Sequence, residues 1–133
     1  MANIQLQRGL KQDIDVTYTL ANSSKPDLRS GFDAELVIRQ KEKGKFSGAV
    51  VDVLRHDTSS PEPRSSADGR ITFEDPSSGD GHNITLSWTT AQASLLPNLA
   101  QTVAGDLKVT STSSSEVVHH IRLTFDIIPE IIE

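Results

Sequence analysis

The chain alternates apolar and polar residues with a period of two. Ile14, Val16, Tyr18 and Leu20 are separated by Asp15, Thr17 and Thr19. Successive side chains of a β-strand point to opposite faces, so this spacing predicts a half-buried strand with one wet face. Ile4 and Leu6 repeat the pattern near the start. Leu36 and Ile38, Val51 and Val53, Ile71 and Phe73, and Ile84, Leu86 and Trp88 follow, then Leu107 and Val109. The longest run is Ile121, Leu123, Phe125 and Ile127, set against Arg122, Thr124 and Asp126. About eight strands at this spacing predict a sandwich or barrel.

Turn-rich segments separate the strands. Residues 22–27 contain Pro26 and Asp27, residues 57–69 contain Pro61 and Pro63 among four serines, and residues 75–81 contain Pro76, Gly79 and Gly81. Thr110–Ser115 predicts a hairpin turn, and Arg39, Lys41, Lys43 and Lys45, interleaved with Glu42 and Gly44, predict a solvated strand end or hairpin tip. Too little chain lies on either side of any of these for a second core, so one domain over 1–133 is expected.

One segment departs from the period of two. Thr89 is followed three positions later by Gln92, a capping box in which each side chain satisfies a free backbone N–H. This predicts a short helix of about two turns near 90–96, stopped by Pro97, with Ala91, Leu95 and Leu96 on the core. The fold expected is mostly β: an antiparallel β-sandwich, immunoglobulin-like or jelly-roll-like, with one short helix.

Composition narrows the function. The chain has 133 residues, 35% hydrophobic and 23% charged, with a net charge of -5. The acidic balance argues against a nucleic-acid partner, which requires a basic footprint. No apolar run reaches the roughly 20 residues of a spanning helix, so no membrane partner is expected. The first residues lack the basic and apolar regions of a signal peptide. There is no cysteine, hence no disulfide and no thiolate ligand.

Catalytic chemistry finds little support. No Ser lies in a Gly-x-Ser-x-Gly elbow, and Lys43–Gly48 lacks the phosphate-loop spacing. His119 and His120 are adjacent and would point to opposite faces of a strand, one ring out and one partly packed, so they cannot chelate one metal together. His56 and His82 lack an identifiable co-ligand. Glu74, Asp75 and Asp80 lack the spacing of a calcium loop and read as turn residues. Asn22-Ser23-Ser24 and Asn83-Ile84-Thr85 are formal glycosylation sequons. Trp88, closing an alternating strand, is expected in the core. No cofactor, no metal and no catalytic residue is therefore assigned.

The C-terminal segment is the more suggestive one. Ile127, Ile128, Ile131 and Ile132 flank Pro129, which cannot donate to a ladder. The segment folds back on its own sandwich, or it docks on a neighbouring subunit by extending a sheet edge. Ile127, Ile128, Ile131 and Ile132, with the loop around Pro61 and Pro63, are the candidate protein contacts.

Several short motifs line up in a known order. Arg8-Gly9 follows the opening strand, Asp13–Leu20 comes next, and Asp27–Gly31 with Phe32 leads to a strand ending in Ile38-Arg39. Asp68–Phe73, Ile84–Ser87, Thr90–Gln92 and Gly105–Thr110 complete it. Over nearly the whole chain this order resembles the small β-sandwich proteins of tailed bacteriophages and prophages, including the N-terminal domains of baseplate and tail-fibre adaptor proteins. The chain departs from it at Arg29-Ser30, at the Ser60–Ser66 loop and at Asn98–Ala104, which bears on which virion component it is. The resemblance implies a non-enzymatic structural protein of a virion, in the tail, baseplate or neck, made in the host cytoplasm. Its implied partners are other virion proteins and copies of itself. A capsid decoration protein is the alternative within that class, and a carbohydrate- or cell-surface-binding module the alternative outside it.

Overall fold

The computed structural model describes residues 3–22, 24–56, 70–77 and 82–130. Eight strands and one helical turn follow one another as β1 (Ile4–Gln7), β2 (Gln12–Val16), β3 (Phe32–Gln40), β4 (Val50–Arg55), β5 (Ile71–Phe73), β6 (Ile84–Trp88), α1 (Thr90–Ala93), β7 (Gln101–Ser111) and β8 (Val117–Ile128). They form a five-stranded sheet, β1-β8-β7-β3-β4, and a three-stranded sheet, β2-β6-β5. The strand order is that of an immunoglobulin-type sandwich. There β8-β7-β3 stand as G-F-C with β4 as C′, and β2-β6-β5 stand as B-E-D. All pairings are antiparallel except one: β1 runs parallel to β8, with Ile4 opposite Phe125 and Gln7 opposite Ile128.

The apolar halves of the alternating strands meet between the sheets. Leu36, Ile38, Leu107, Phe125 and Ile127 come from the larger sheet, and Ile71, Ile84, Leu86 and Trp88 from the smaller, all in one buried cluster. Gly105 sits at a tight point of this packing. A Cβ there would lie 2.7 Å from both Leu36 Cδ1 and Val37 O, so a side chain and a backbone carbonyl of β3 occupy the space a larger residue would need.

Polar side chains also bind the layers together. Asp52, inside the sandwich on β4, accepts from Arg70 Nη1 (2.9 Å) and Nη2 (2.7 Å) and from the Trp88 indole N–H (2.9 Å). Arg70 also donates to the carbonyls of Val53 and Ser87. The network thus bridges β4 of one sheet to β6 of the other. A second bridge is Asn83, fully buried. Its Oδ1 accepts from Tyr18 N (2.9 Å), and its Nδ2 donates to the carbonyls of Tyr18 and Pro26. The Asn83 sequon is therefore spent on internal hydrogen bonds.

Three local expectations change. The strand read as reaching Leu20 ends at Val16, because the Tyr18 backbone bonds the Asn83 side chain instead of a neighbouring strand. The strand read around Leu107 and Val109 begins at Gln101, because Ala104 and Gly105 are too small to register as apolar alternation. The helix has its capping box, with Thr89 and Gln92 bonded reciprocally, yet spans one turn rather than two. Its apolar register is Ala93 and Leu96, while Ala91 is exposed and Leu95 is 63% exposed. Leu95 N donates to Gln92 O, a tightened last turn, and Pro97 bars Leu96 from continuing the helix.

Candidate functional site on the outer face of the five-stranded sheet

The outward side chains of β3, β7 and β8 stand in rows fixed by the register. Val37, Asp106 and Arg122 form one row, Glu35, Lys108 and His120 the next. The hairpin joining β3 to β4 closes one side of this face. Its tip turns through Lys43 (φ 51°) and Gly44 (φ 80°), with Glu42 bridged to Lys45. Two successive positive φ values define the hairpin turn whose twist matches that of its strands. This brings Phe46 beside the sheet, where the Arg122 guanidinium carbon lies 5.9 Å and Lys41 Nζ 5.6 Å from the ring centre.

Between Phe46 and the strands lies a cleft of ≈ 180 Å³, with Val37 and Ala104 among its apolar lining and Arg39, Lys108 and Arg122 among its cations. A second cleft of ≈ 130 Å³ shares Glu35 and Lys108 with it and continues past Arg55, Thr110 and Val117. The face is thus one contiguous uneven surface. Its carboxylates are engaged: Glu35 with Arg55 (2.7 Å), and Asp106 with Arg122 Nε (2.6 Å) and His120 Nε2 (3.4 Å). The hydrogen bond from Arg122 holds the Asp106 carboxyl below its usual range, with Arg122 and His120 adding charge attraction. Arg39 donates to Gly48 O (3.2 Å). Among the described residues neither Arg39 nor Lys108 has a carboxylate partner, which leaves a cationic surplus on a protein of net charge -5.

Of the candidate contacts read from the sequence, Ile127 points into the core, and Ile128 alternates onto this face but lines neither cleft. Ile127 is 2% exposed and belongs to the core, so its assignment as a partner contact is corrected. Ile128 is half-buried, and its carbonyl accepts from Arg8 N. The extended segment that carries both is a central strand, covered by β1 on one side and β7 on the other. It therefore has no edge to offer there. The chain stays anchored to Glu130, whose side chain pairs with Arg8 and whose N–H donates to Asn98 Oδ1. Ile131, Ile132, Pro61 and Pro63 lie outside the described residues.

The histidines occupy separate places. His119 is partly packed, with its Nδ1 3.1 Å from the Tyr18 hydroxyl, while His120 faces outward. His56 and His82 each approach one carboxylate, Asp33 at 3.4 Å and Asp15 at 3.5 Å. Of the acidic turn, Asp75 accepts from Ser77 and lies 3.7 Å from Arg29, and Asp80 is outside the described residues. No group of three or more potential metal ligands occurs among the described residues.

Sequence reasoning missed the outer face because its residues are ordinary surface types. Only the four basic residues Arg39, Lys41, Lys43 and Lys45 hinted at it, and they were read as a solvated hairpin. No protein-family model matches the chain, and no curated protein matches its sequence.

Proposed function

We propose that this chain is a non-enzymatic structural protein that holds neighbouring proteins together through the outer face of its five-stranded sheet. The observation that carries this reading is the contiguous pair of clefts, in which Val37, Phe46 and Ala104 lie among charged side chains and, among the described residues, Arg39 and Lys108 have no carboxylate partner. An uneven face that mixes an aromatic ring, arginines and small apolar side chains has the composition of a protein contact. A flat, polar, fully ion-paired face would not. The resemblance of its motif order to small virion proteins supports placing it in the tail, baseplate or neck of a tailed phage.

Antibody labelling of particles from the encoding source tests the placement. Label on tails is the expected result. Label on the shell would move the protein to capsid decoration, and its absence from particles would sink the virion reading. The face itself is tested by capture of those particles on the full chain and on a Phe46→Ala, Lys108→Glu variant. Loss of capture in the folded variant supports the outer face, and unchanged capture removes it.

A further inference from the structure

The two sheets each leave an edge unpaired on the same side of the sandwich. β1 is four residues long and pairs only with Phe125–Ile128 of the twelve-residue β8. Val117–Thr124 therefore carries a ladder on one side only, to β7. The register shifts between Val109 and Thr110, leaving Val118 as an extra residue, so the regular free edge is His119–Thr124. In the other sheet β2 pairs with β6 alone. Among the described residues no backbone hydrogen bond reaches the open side of either strand.

The two edges lie over each other and run in opposite directions. The start of β2 is beside the end of β8, since Gln12 bonds Gln7 and Arg8 bonds Ile128. Past the other end of β2, Tyr18 meets His119 near the start of β8. Their patterns are complementary. β2 presents Asp13 and Asp15 outward and packs Ile14 and Val16 against the core. The free part of β8 presents His120 and Arg122 outward and turns Ile121 and Leu123 toward the core. Five residues of β2 face six of β8. Neither edge contains the proline or lysine that usually guards an exposed strand.

We propose that two copies of this chain pair through these edges, β2 of each adding antiparallel to β8 of the other. A two-fold axis along the strands at this side makes both additions at once, so each five-stranded sheet continues into the second copy's three-stranded sheet. The contact is isologous and closed. Asp13 and Asp15 meet the His120 and Arg122 row, and Ile14 and Val16 extend the apolar row of Ile121 and Leu123. The seam shares His120 and Arg122 with the outer face, but its backbone edges and Asp13, Asp15 and Ile121 lie outside both clefts, so its failure leaves the outer-face reading standing.

Sedimentation velocity of the full chain, up to about 100 μM, is expected to give a mass near twice 14.5 kDa. Asp15→Lys sets like charges at both seams, as does Arg122→Glu. Each alone is expected to weaken the dimer by about tenfold or more, with an unchanged circular dichroism spectrum. Mixed in equal amounts, the two variants recover it, because both seams then carry opposite charges. Ile121→Lys, a charge on the edge itself, is expected to give a folded monomer. A parent chain that stays monomeric overturns the proposal. So does a dimer that ignores these substitutions, or a mixture no tighter than its parts.

Discussion

The molecule contains the same ion pair in two settings. Arg70 and Asp52 meet between the sheets with side chains 4% and 6% exposed. Arg122 and Asp106 meet on the outer face, 55% and 37% exposed. Both pairs are close, at 2.7 and 2.6 Å. What differs is the alternative open to each group. On the surface a lost partner is replaced by water. Between the sheets it is not, and every acceptor site on Asp52 is used: Oδ1 takes Val53 N and Arg70, Oδ2 takes Arg70 and Trp88. Distance alone therefore says little about what a pair contributes.

The largest expected effect breaks the buried pair. Asp52→Ala strands the Arg70 charge in the core and should destabilise the domain by about 3–5 kcal/mol, read from urea unfolding. If the loss comes from the stranded charge, replacing both partners by apolar groups should recover most of it. Asp52→Leu with Arg70→Met tests this, less about 1–3 kcal/mol for the Trp88 N–H left without an acceptor. A double variant as unstable as the single one would show that the pair itself, rather than its completeness, stabilises the fold.

A smaller loss is expected when only the third member goes. Trp88→Phe keeps a ring on the core and removes one donor to a carboxylate, at a cost of about 1.5–3 kcal/mol by thermal or urea unfolding. None of these substitutions touches the outer face, so the binding proposed there should persist wherever the variant is folded.

Asp106→Ala should cost about 0–1 kcal/mol, and that difference should fade in 1 M salt while the Asp52→Ala loss remains. The pH dependence shares this sign. Because Arg122 lowers the folded-state pKa of Asp106 below 3.8, its contribution is present above that value. It is lost as pH falls through the lower folded pKa. The exposed Asp27 is the extreme case: a hydrogen bond from the Arg29 side chain, with one from its backbone, lowers its pKa to about 2. Carboxyl chemical shifts followed from pH 5 downward should show Asp106 titrating below 3.8 and Asp27 near 2.

The buried network also shows where sequence reading stops. Val51, Asp52, Val53 and Leu54 are all buried, so β4 lacks the alternation that would place Asp52 on a face. Arg70 stands beside a turn, where an arginine is unremarkable by type. Only the approach of β4 to β6 makes them partners. Trp88 was legible because it closes an alternating strand, and the capping box because both of its members lie within one turn. The outer-face site was not legible, since Phe46, Val37, Ala104 and Lys108 come from three separate segments joined by register.

The sequence by itself determined the elements that depend on near neighbours: eight strands from a period of two, the Thr89 cap, the Lys43-Gly44 turn and the opposed faces of His119 and His120. Each is decided by backbone geometry over a few residues. The tertiary structure alone decided which strands pair, that β1 runs parallel to β8, and that Ile127 is core rather than contact. Those outcomes depend on groups distant in sequence competing for the same partners, and a one-dimensional pattern does not encode which of them wins.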